Sequence, residues 1–309
     1  MRALAIADRE SRPAVIQVST DAPAPGQVRV AVEAASVNGI DAYAAAGFLW
    51  DAMPHTFPVV LGRDFAGTVE AVGDGVSGRA LGDRVLGVVA ALELGTGAIA
   101  ESIAIDASTL VAIPDGVSSV QAAAVGLAGV TAAALVDALE PRKEDVVLVS
   151  GATGGVGSFV VQLVSATGAR VLATGRSGEA ADFVRGLGAA EVVDHTGDLA
   201  DAVRSAAPDG LDAVAHLAGD VAALAALLRP GGRLASVLGA TAEQAGRDDV
   251  TVVPVMGAAT PQRLRNLLDA VADGSLTVAV HRTYDLDDSP AAVADFGSPK
   301  LGKLVVTTS

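Results

Sequence analysis

One stretch constrains this chain more than any other: Val146-Val147-Leu148-Val149-Ser150 followed by Gly151-Ala152-Thr153-Gly154-Gly155-Val156-Gly157. An apolar β-run empties into a glycine-rich turn, and a helical pattern begins at once. A second apolar run, Arg170 to Thr174, then ends in Gly175-Arg176. Strand, glycine turn, helix and strand in that order predict a dinucleotide-binding βαβ unit. Bulky side chains in such a turn would hold a pyrophosphate away from the backbone. Glycines let it approach, and the following helix aims its N–H groups and positive dipole end at it. Read against the G-x-G-x-x-G pattern, the register is Ala152, Gly154 and Gly157, with alanine in the first glycine position. Thr153, Gly155 and Val156 fill the rest of the expected cradle, and Gly151 keeps its entrance open.

The end of the second strand faces the adenosine ribose in such a unit. A carboxylate there bonds the 2′-hydroxyl of NAD, whereas an arginine pairs with the 2′-phosphate of NADP. Gly175-Arg176-Ser177-Gly178 offers a guanidinium, a hydroxyl and pliable backbone, and the nearest following acid is Glu179. The cofactor expected is therefore NADPH, with Gly175, Arg176 and Ser177 around its phosphate. A solvated surface arginine is the bland alternative.

Composition narrows the class. A chain of 309 residues suits two domains or one large one. Its formal charge is −15, and the acids are spread along the chain rather than gathered in a tail. That balance argues against nucleic acid or an anionic membrane as partner. Cysteine is absent, which excludes disulfides, a thiolate nucleophile, iron–sulfur clusters and cysteine-ligated zinc. His55, His195, His216 and His281 are scattered, with no metal-ligand pair at helical spacing, so no metal site is expected. No run reads as a membrane span, and the start of the chain is too short in its apolar part for a signal peptide. A cytoplasmic location is the default expectation.

The stretch before Pro114 reads as β-rich. Met1 to Ala7 is a short strand, and Val28, Val30 and Val32 alternate with Arg29, Ala31 and Glu33 as in a half-buried strand. Asp41 to Ala46 fits a short helix stopped by Gly47. Phe65 to Val72, Arg84 to Val89 and Ala98 to Ile105 are further strands. Dense glycine among short strands predicts a curled, barrel-like sheet. Ser118 to Ala124 and Val130 to Leu139 read as two helices. Then six strands alternate with helices: Val146–Val149, Arg170–Thr174, Glu191–Val193, Ala213–Leu217, Leu234–Leu238 and Thr251–Val255. Pro230-Gly231-Gly232 reads as a tight turn before the fifth. The alternation predicts a parallel, doubly wound sheet. A helix from Thr260 to about Ala272, a short strand, a helix near Pro290 to Asp295 and a strand Leu304–Thr307 complete the chain. The expected division is a β-rich domain from 1–115 and 256–309 around a nucleotide domain at 116–255, with the active site in the cleft between them.

That order resembles the medium-chain dehydrogenase/reductase superfamily. Several segments carry the resemblance: Ala35-Ser36-Val37-Asn38-Gly39-Ile40-Asp41, Leu61-Gly62-Arg63-Asp64-Phe65-Ala66-Gly67-Thr68-Val69, Gly82-Asp83-Arg84-Val85, the glycine turn, Leu187-Gly188-Ala189 and Gly302-Lys303-Leu304-Val305-Val306. Together they are similar to the zinc-free quinone oxidoreductase branch and to its enoyl reductase cousins. The implied fold is α/β, a GroES-like β-rich domain plus a doubly wound parallel-sheet Rossmann domain. The resemblance places Asn38 near the nicotinamide or a substrate carbonyl, Asp41 as the residue that orients its loop, and Thr131 near the nicotinamide. It lines the cofactor with backbone at Leu217, Ala218, Leu238 and Gly239. It closes Phe296 to Lys303 over the nicotinamide side. By its own sequence context Lys303 reads as a solvated lysine ahead of a strand. The segment after Arg176 lacks the lysine that many NADPH-binding members carry, which leaves Arg176 as the main phosphate ligand.

The implied chemistry is hydride transfer from NADPH to a quinone or an α,β-unsaturated carbonyl, with an enoyl reductase of a polyketide or lipid-like pathway as the alternative. A non-catalytic NADPH-binding sensor or structural protein is a third reading. Tyr43 lies in the right loop to supply a proton to an enoyl substrate, or is simply a packing aromatic. Phe48, Leu49, Trp50 and Phe57 form an aromatic cluster that could wall an apolar pocket or fill a core. Val250-Thr251-Val252-Val253-Pro254-Val255 reads as an apolar edge strand, which predicts pairing into a homodimer.

Overall fold

The computed structural model describes residues 1–20, 22–91 and 93–308. It divides into two compact units. The first comprises Met1–Leu127, Ala259–Pro299 and Lys303–Ser309, and the second Ala128–Ala258 with Lys300–Gly302.

In the second unit the alternation of apolar runs and helices resolves into one parallel sheet of six strands. Their spatial order is Glu191–Val193, Arg170–Thr174, Val146–Ser150, Leu211–His216, Leu228–Ser236 and Thr251–Pro254. The order reverses between Val146–Ser150 and Leu211–His216, the position at whose carboxyl ends sheets of this kind bind their ligands. Both faces of the sheet are covered. Leu148, Leu172, Val214 and Leu234 are buried in the core of this unit, and the helix Gly155–Ser165 buries Phe159, Val160 and Val161.

The first unit is the β-rich one. A sheet of three strands pairs Ala14–Gln17, Arg2–Ile6 and Val59–Val60. A larger sheet runs Val280–Asp285, Lys303–Thr307, Gln27–Ser36, Asp64–Val72, Arg84–Val88 and Val111–Ala112, with Ser102–Asp106 pairing alongside Gln27–Ser36. The chain's last strand thus sits beside a strand from its first forty residues. Gly67 shows why glycine is needed in this curled sheet. A Cβ there would stand 2.0 Å from the Ala31 carbonyl oxygen, so only glycine lets the two strands bend together.

Several expectations are corrected. The two helices expected around Gly126-Leu127-Ala128-Gly129 form one helix, Ser119–Leu139. Gly126 does not break it. That glycine makes room for Asp64, whose Cβ would lie 2.7 Å from any Cβ at 126. The first half of this helix packs with the first unit, and so the compact units divide at 127/128, inside the helix, rather than near residue 116. The expectation that no run could span a membrane also fails on length and composition. Ser119–Leu139 has a mean hydropathy of 1.9, yet 61% of that window is buried inside the fold, which makes it a core helix. The run Ala98 to Ile105 is not one strand. Ile99 donates to Leu61 O while Ser102–Asp106 joins the larger sheet, so the chain changes sheets there. Pro230-Gly231-Gly232 is taken up inside the strand Leu228–Ser236 as an irregularity, with Gly231 at φ +79.

The Gly67 contact gives a direct check. Gly67→Ala should cost about 1–3 kcal/mol in urea unfolding, because the new methyl meets backbone. Gly186→Ala, in open space on a helix, should be neutral or stabilising by about 0.5 kcal/mol. Equal effects would show that the close approach is not limiting.

Candidate functional site

The glycine turn of the second unit is built around close packing. Gly151 takes φ +88, and a Cβ on Gly157 would stand 2.2 Å from Gly151 O and 2.7 Å from Ala152 Cα. Gly157 therefore lets the helix start against the turn itself. Gly154, the residue that caps the helix Gly155–Ser165, is different. A Cβ there would meet only Gly151 O, at 3.4 Å, so its outer side is open. The turn is tight on the inside and uncrowded around a Cβ at Gly154, and the first N–H groups of an eleven-residue helix lie just beyond it. Ala152 is buried, while Thr153, Gly154, Gly155 and Val156 are partly exposed. The late segment Lys300–Gly302 reaches the same place, where Gly302 N donates to Thr153 O at 2.8 Å.

The four central strands each end in a small polar side chain that pins a neighbouring loop. Ser150 Oγ donates to Ala218 O at 2.7 Å. Thr174 Oγ1 accepts from Gly151 N at 2.9 Å, holding the glycine turn from the adjacent strand. His216 Nε2 lies 3.0 Å from Gly219 O and its Nδ1 lies 3.0 Å from Ser236 Oγ. A carbonyl can only accept, so Nε2 carries the proton and Nδ1 accepts from the Ser236 hydroxyl. Ser236 Oγ in turn accepts from Leu238 N at 3.1 Å. Ala218 and Leu238 are thus held by buried strand ends, Leu217 N donates to Ser150 O at 3.1 Å, and Gly239 lies between Leu238 and Ala240, whose N–H groups both reach Ser236 Oγ. Thr131 sits on the long helix of this unit, with Gly257 so close that a Cβ on it would lie 2.3 Å from Thr131 Oγ1. Met256, just before, is 81% exposed. His216, Ser236, Thr174 and Met256-Gly257 were not singled out in the sequence. The signal for the first three was the recurrence of Ser, Thr or His as the last residue of four of the six strands.

At the other end of the turn, Gly175 is buried, and Arg176, Ser177 and Gly178 are exposed. Gly178 takes φ +87 as the cap of the next helix. Among the described residues no side chain engages the Arg176 guanidinium.

In the first unit, the expected residues gather in a buried polar knot. Asp64 is fully buried. Its Oδ1 accepts from Ser36 Oγ at 2.7 Å, Ser36 N at 3.2 Å and Asn38 Nδ2 at 3.2 Å, and its Oδ2 accepts from Leu127 N at 2.8 Å. Asn38 spends its other amide hydrogen on Ser36 O, and its Oδ1 accepts from Lys303 Nζ at 2.8 Å. Lys303 Nζ also donates to Val37 O at 3.0 Å. Lys303 is 4% exposed, so the solvated lysine expected from its context is corrected. The strand Lys303–Thr307 pairs with Gln27–Ser36 and carries the amine into the knot. Asn38 is 7% exposed with both amide hydrogens used internally, which makes it a residue that orders its surroundings. Asp41 accepts from Asn38 N and Gly62 N, each at 2.8 Å, and so ties the start of the helix Gly39–Ala45 to the Gly62 turn. Burial pushes the Asp41 carboxyl up to about 6, against the pull of those two N–H groups.

The aromatic residues split into two groups. Trp50, His55 and Phe57 meet in tilted and edge-on contacts with centroids 5.1–5.3 Å apart; Trp50 belongs to the core and Phe57 packs against it. Phe48 is 71% exposed and faces the half-exposed Tyr43, centroids 6.3 Å apart. A Cβ on Gly39 would touch Phe296 at 3.7 Å and Tyr43 at 3.9 Å, so these two rings flank the loop that bears Asn38.

Fold and site together define a class. Residues 24–115 match the alcohol dehydrogenase GroES-like domain family, and residues 187–306 match the zinc-binding dehydrogenase family. The chain belongs to the medium-chain dehydrogenase/reductase superfamily, oxidoreductases with a pyridine-nucleotide-binding fold. It is 32% identical to a mycocerosic acid synthase-like polyketide synthase of Mycolicibacterium smegmatis over 92% of this chain and 14% of that protein. It is 34% identical to a chloroplast envelope quinone oxidoreductase homolog of Arabidopsis thaliana over 67% of this chain and 64% of that protein. Among solved structures it is similar to an NAD-dependent alcohol dehydrogenase (27% identity, TM-score 0.88) and to a mycobacterial protein complexed with NADPH (29% identity, TM-score 0.85), each over the full length of both chains. The chain spans about one seventh of the polyketide synthase it matches. Among the described residues no group of three or more His, Cys, Asp and Glu side chains could hold a metal ion.

Asp41 yields a pH test. Its folded value of about 6 lies above the ordinary 3.8, so the fold favours the protonated carboxyl. That contribution to stability is complete below about pH 3.8 and is lost as pH rises through about 6. The stability lost on Asp41→Asn should therefore be smaller at about pH 7 than at about pH 4, by something on the order of 3 kcal/mol in urea unfolding. A pH-independent cost would show Asp41 to be an ordinary carboxylate.

Proposed function

We propose that this chain is a zinc-independent reductase that transfers a hydride from NADPH to a quinone or an α,β-unsaturated carbonyl. The observation that carries the reading is the second unit's turn. It is closed on the inside by Gly157, open on the outside at Gly154, and followed at the next strand end by an unengaged Arg176. That is the shape and charge a 2′-phosphorylated dinucleotide needs. The two solved neighbours name different cofactors, so the choice rests on Arg176.

NADPH, when bound, supplies the hydride. The chain's own residues hold, orient and exclude water. Gly154, Gly155, Val156 and Gly157 present backbone to the pyrophosphate, and Gly175, Arg176 and Ser177 take the 2′-phosphate. Thr131, Leu217, Ala218, Leu238 and Gly239 line the nicotinamide end. In the first unit Asn38, Asp41 and Lys303 fix the acceptor-side loop through the Asp64 knot, with Phe296 beside it. A quinone oxyanion needs little acid help. An enoyl acceptor needs a proton at its α-carbon, and the half-exposed Tyr43 is the residue we assign to deliver it.

The enoyl alternative has specific support, because the polyketide synthase match runs over nearly the whole chain. Within this reading, a panel of quinones against enoyl thioesters separates the two. Tyr43→Phe should depress enoyl turnover about 10²-fold and leave quinone turnover near wild type. No turnover with any acceptor despite tight NADPH binding would instead favour a sensor or structural role. Arg176→Ala should weaken NADPH about tenfold or more while sparing NADH. An unchanged preference would remove the 2′-phosphate assignment.

We further infer a homodimer. Thr251–Pro254 is the edge of the parallel sheet, part-exposed and apolar, and a second copy of the same strand would pair with it. Sedimentation at micromolar concentration should show a dimer, and a monomer would overturn this. A cytoplasmic location fits a fold whose one long apolar helix lies in its core, and the net charge of −15 speaks against nucleic acid as partner.

A further inference from the structure

The loop that follows the third strand of the second unit brings an acid to the place where the phosphate is read. Thr174 stands opposite Val193 in the parallel register, and Gly175 N donates to Val193 O at 3.1 Å. The chain segments beyond these residues, Arg176-Ser177 on one strand and Asp194-His195-Thr196 on the other, therefore leave the sheet side by side. Asp194 does not turn away. Its Oδ1 accepts from Thr196 N at 2.8 Å and Thr196 Oγ1 at 2.7 Å, which fixes the carboxylate in an Asx turn. The backbone amide of Ser177, the residue next to Arg176, is among the groups that draw this carboxyl below its usual range.

We propose that Asp194 is a specificity-determining residue that restrains the preference for a 2′-phosphorylated cofactor. The inference rests on the NADPH reading above. An ionised carboxylate beside a phosphate dianion repels it, and at this exposed loop the repulsion is screened but not removed. The carboxylate's hydrogen bonds, those of Thr196 first, hold Asp194 below its usual range, so the acid stays charged at neutral pH. His195, the next residue, acts on the carboxyl in the same direction. A ribose bearing a free 2′-hydroxyl meets no such penalty, because a hydroxyl can donate to a carboxylate. The chain thus carries one element that attracts the 2′-phosphate and one that limits the attraction, and it should discriminate between NADPH and NADH less sharply than Arg176 alone would make it.

The test is equilibrium titration of NADPH, NADH, 2′,5′-ADP and 5′-AMP against the intact protein, for wild type, Asp194→Asn and Asp194→Ser. Asn keeps an acceptor for the Thr196 turn, and Ser provides an independent second variant. Each variant should raise the NADPH to NADH affinity ratio by about threefold to thirtyfold, with the same trend in the 2′,5′-ADP to 5′-AMP ratio. The gain should vanish when Arg176→Ala is added. A folded Asp194→Asn protein with an unchanged or lowered ratio overturns the inference while leaving the NADPH reading intact. Failure of wild type to bind either dinucleotide overturns both.

Discussion

The approach of Gly157 to the carbonyl of Gly151 is the constraint on which the second unit is organised. At 2.2 Å from that oxygen, no Cβ can exist at residue 157. The helix therefore begins directly against the end of the first strand, and its N–H groups stand where the strand order reverses. Everything around this contact serves to hold it. Thr174 bonds Gly151 from one side, Ser150 bonds the Ala218 loop on the other, and Gly302 adds a bond to Thr153. The outward face is left to backbone, and that is the property a pyrophosphate recognises.

The first unit solves a different problem by burying charge. Asp41, Asp64, Arg63 and Lys303 are each at most 6% exposed. Such burial is expensive unless lone pairs and protons find partners. Asp64 has four donors, and Lys303 has Asn38 and Val37 among its acceptors. Arg63 Nη1 reaches Ala91 O at 2.7 Å, its Nη2 has no partner among the described residues, and burial lowers its affinity for a proton. An apolar core would be cheaper to build here. What the knot provides is register. Asp64 holds the strand ending at Ser36 and the long helix at Leu127, Asn38 links Asp64 to the final strand at Lys303, and Asp41 ties in the turn at Gly62. A helix that must present Tyr43 beside Phe296 at a defined place needs that kind of fixing.

Much of this was legible in the sequence, and the reasons are physical. Parallel strands buried on both faces read as unbroken apolar runs, so all six were found, and the glycine turn announced itself because backbone approach forbids side chains. The failures came where a residue type has two uses. The stretch between Ala124 and Val130 read as a gap between two helices, yet the helix runs through it and its Gly126 makes space for Asp64. Lys303 read as solvated, because nothing local says that the strand it opens runs beside Gln27–Ser36. Pro230 read as a turn but lies in an irregular strand. The polar strand ends, His216 above all, were passed over. A lone histidine after an apolar run carries no sign of the two loops it joins until its partners Ser236 and Gly219 are brought together by the sheet.

The central claim is that this chain moves a hydride from NADPH to an electron-poor acceptor. Single-turnover oxidation of NADPH carrying deuterium in both C4 positions tests it most directly, with a quinone and an enoyl thioester as acceptors. The account predicts that the deuterated cofactor is consumed more slowly than the ordinary one with at least one of the two. Consumption at the same rate with either cofactor, or none with any acceptor, would contradict it.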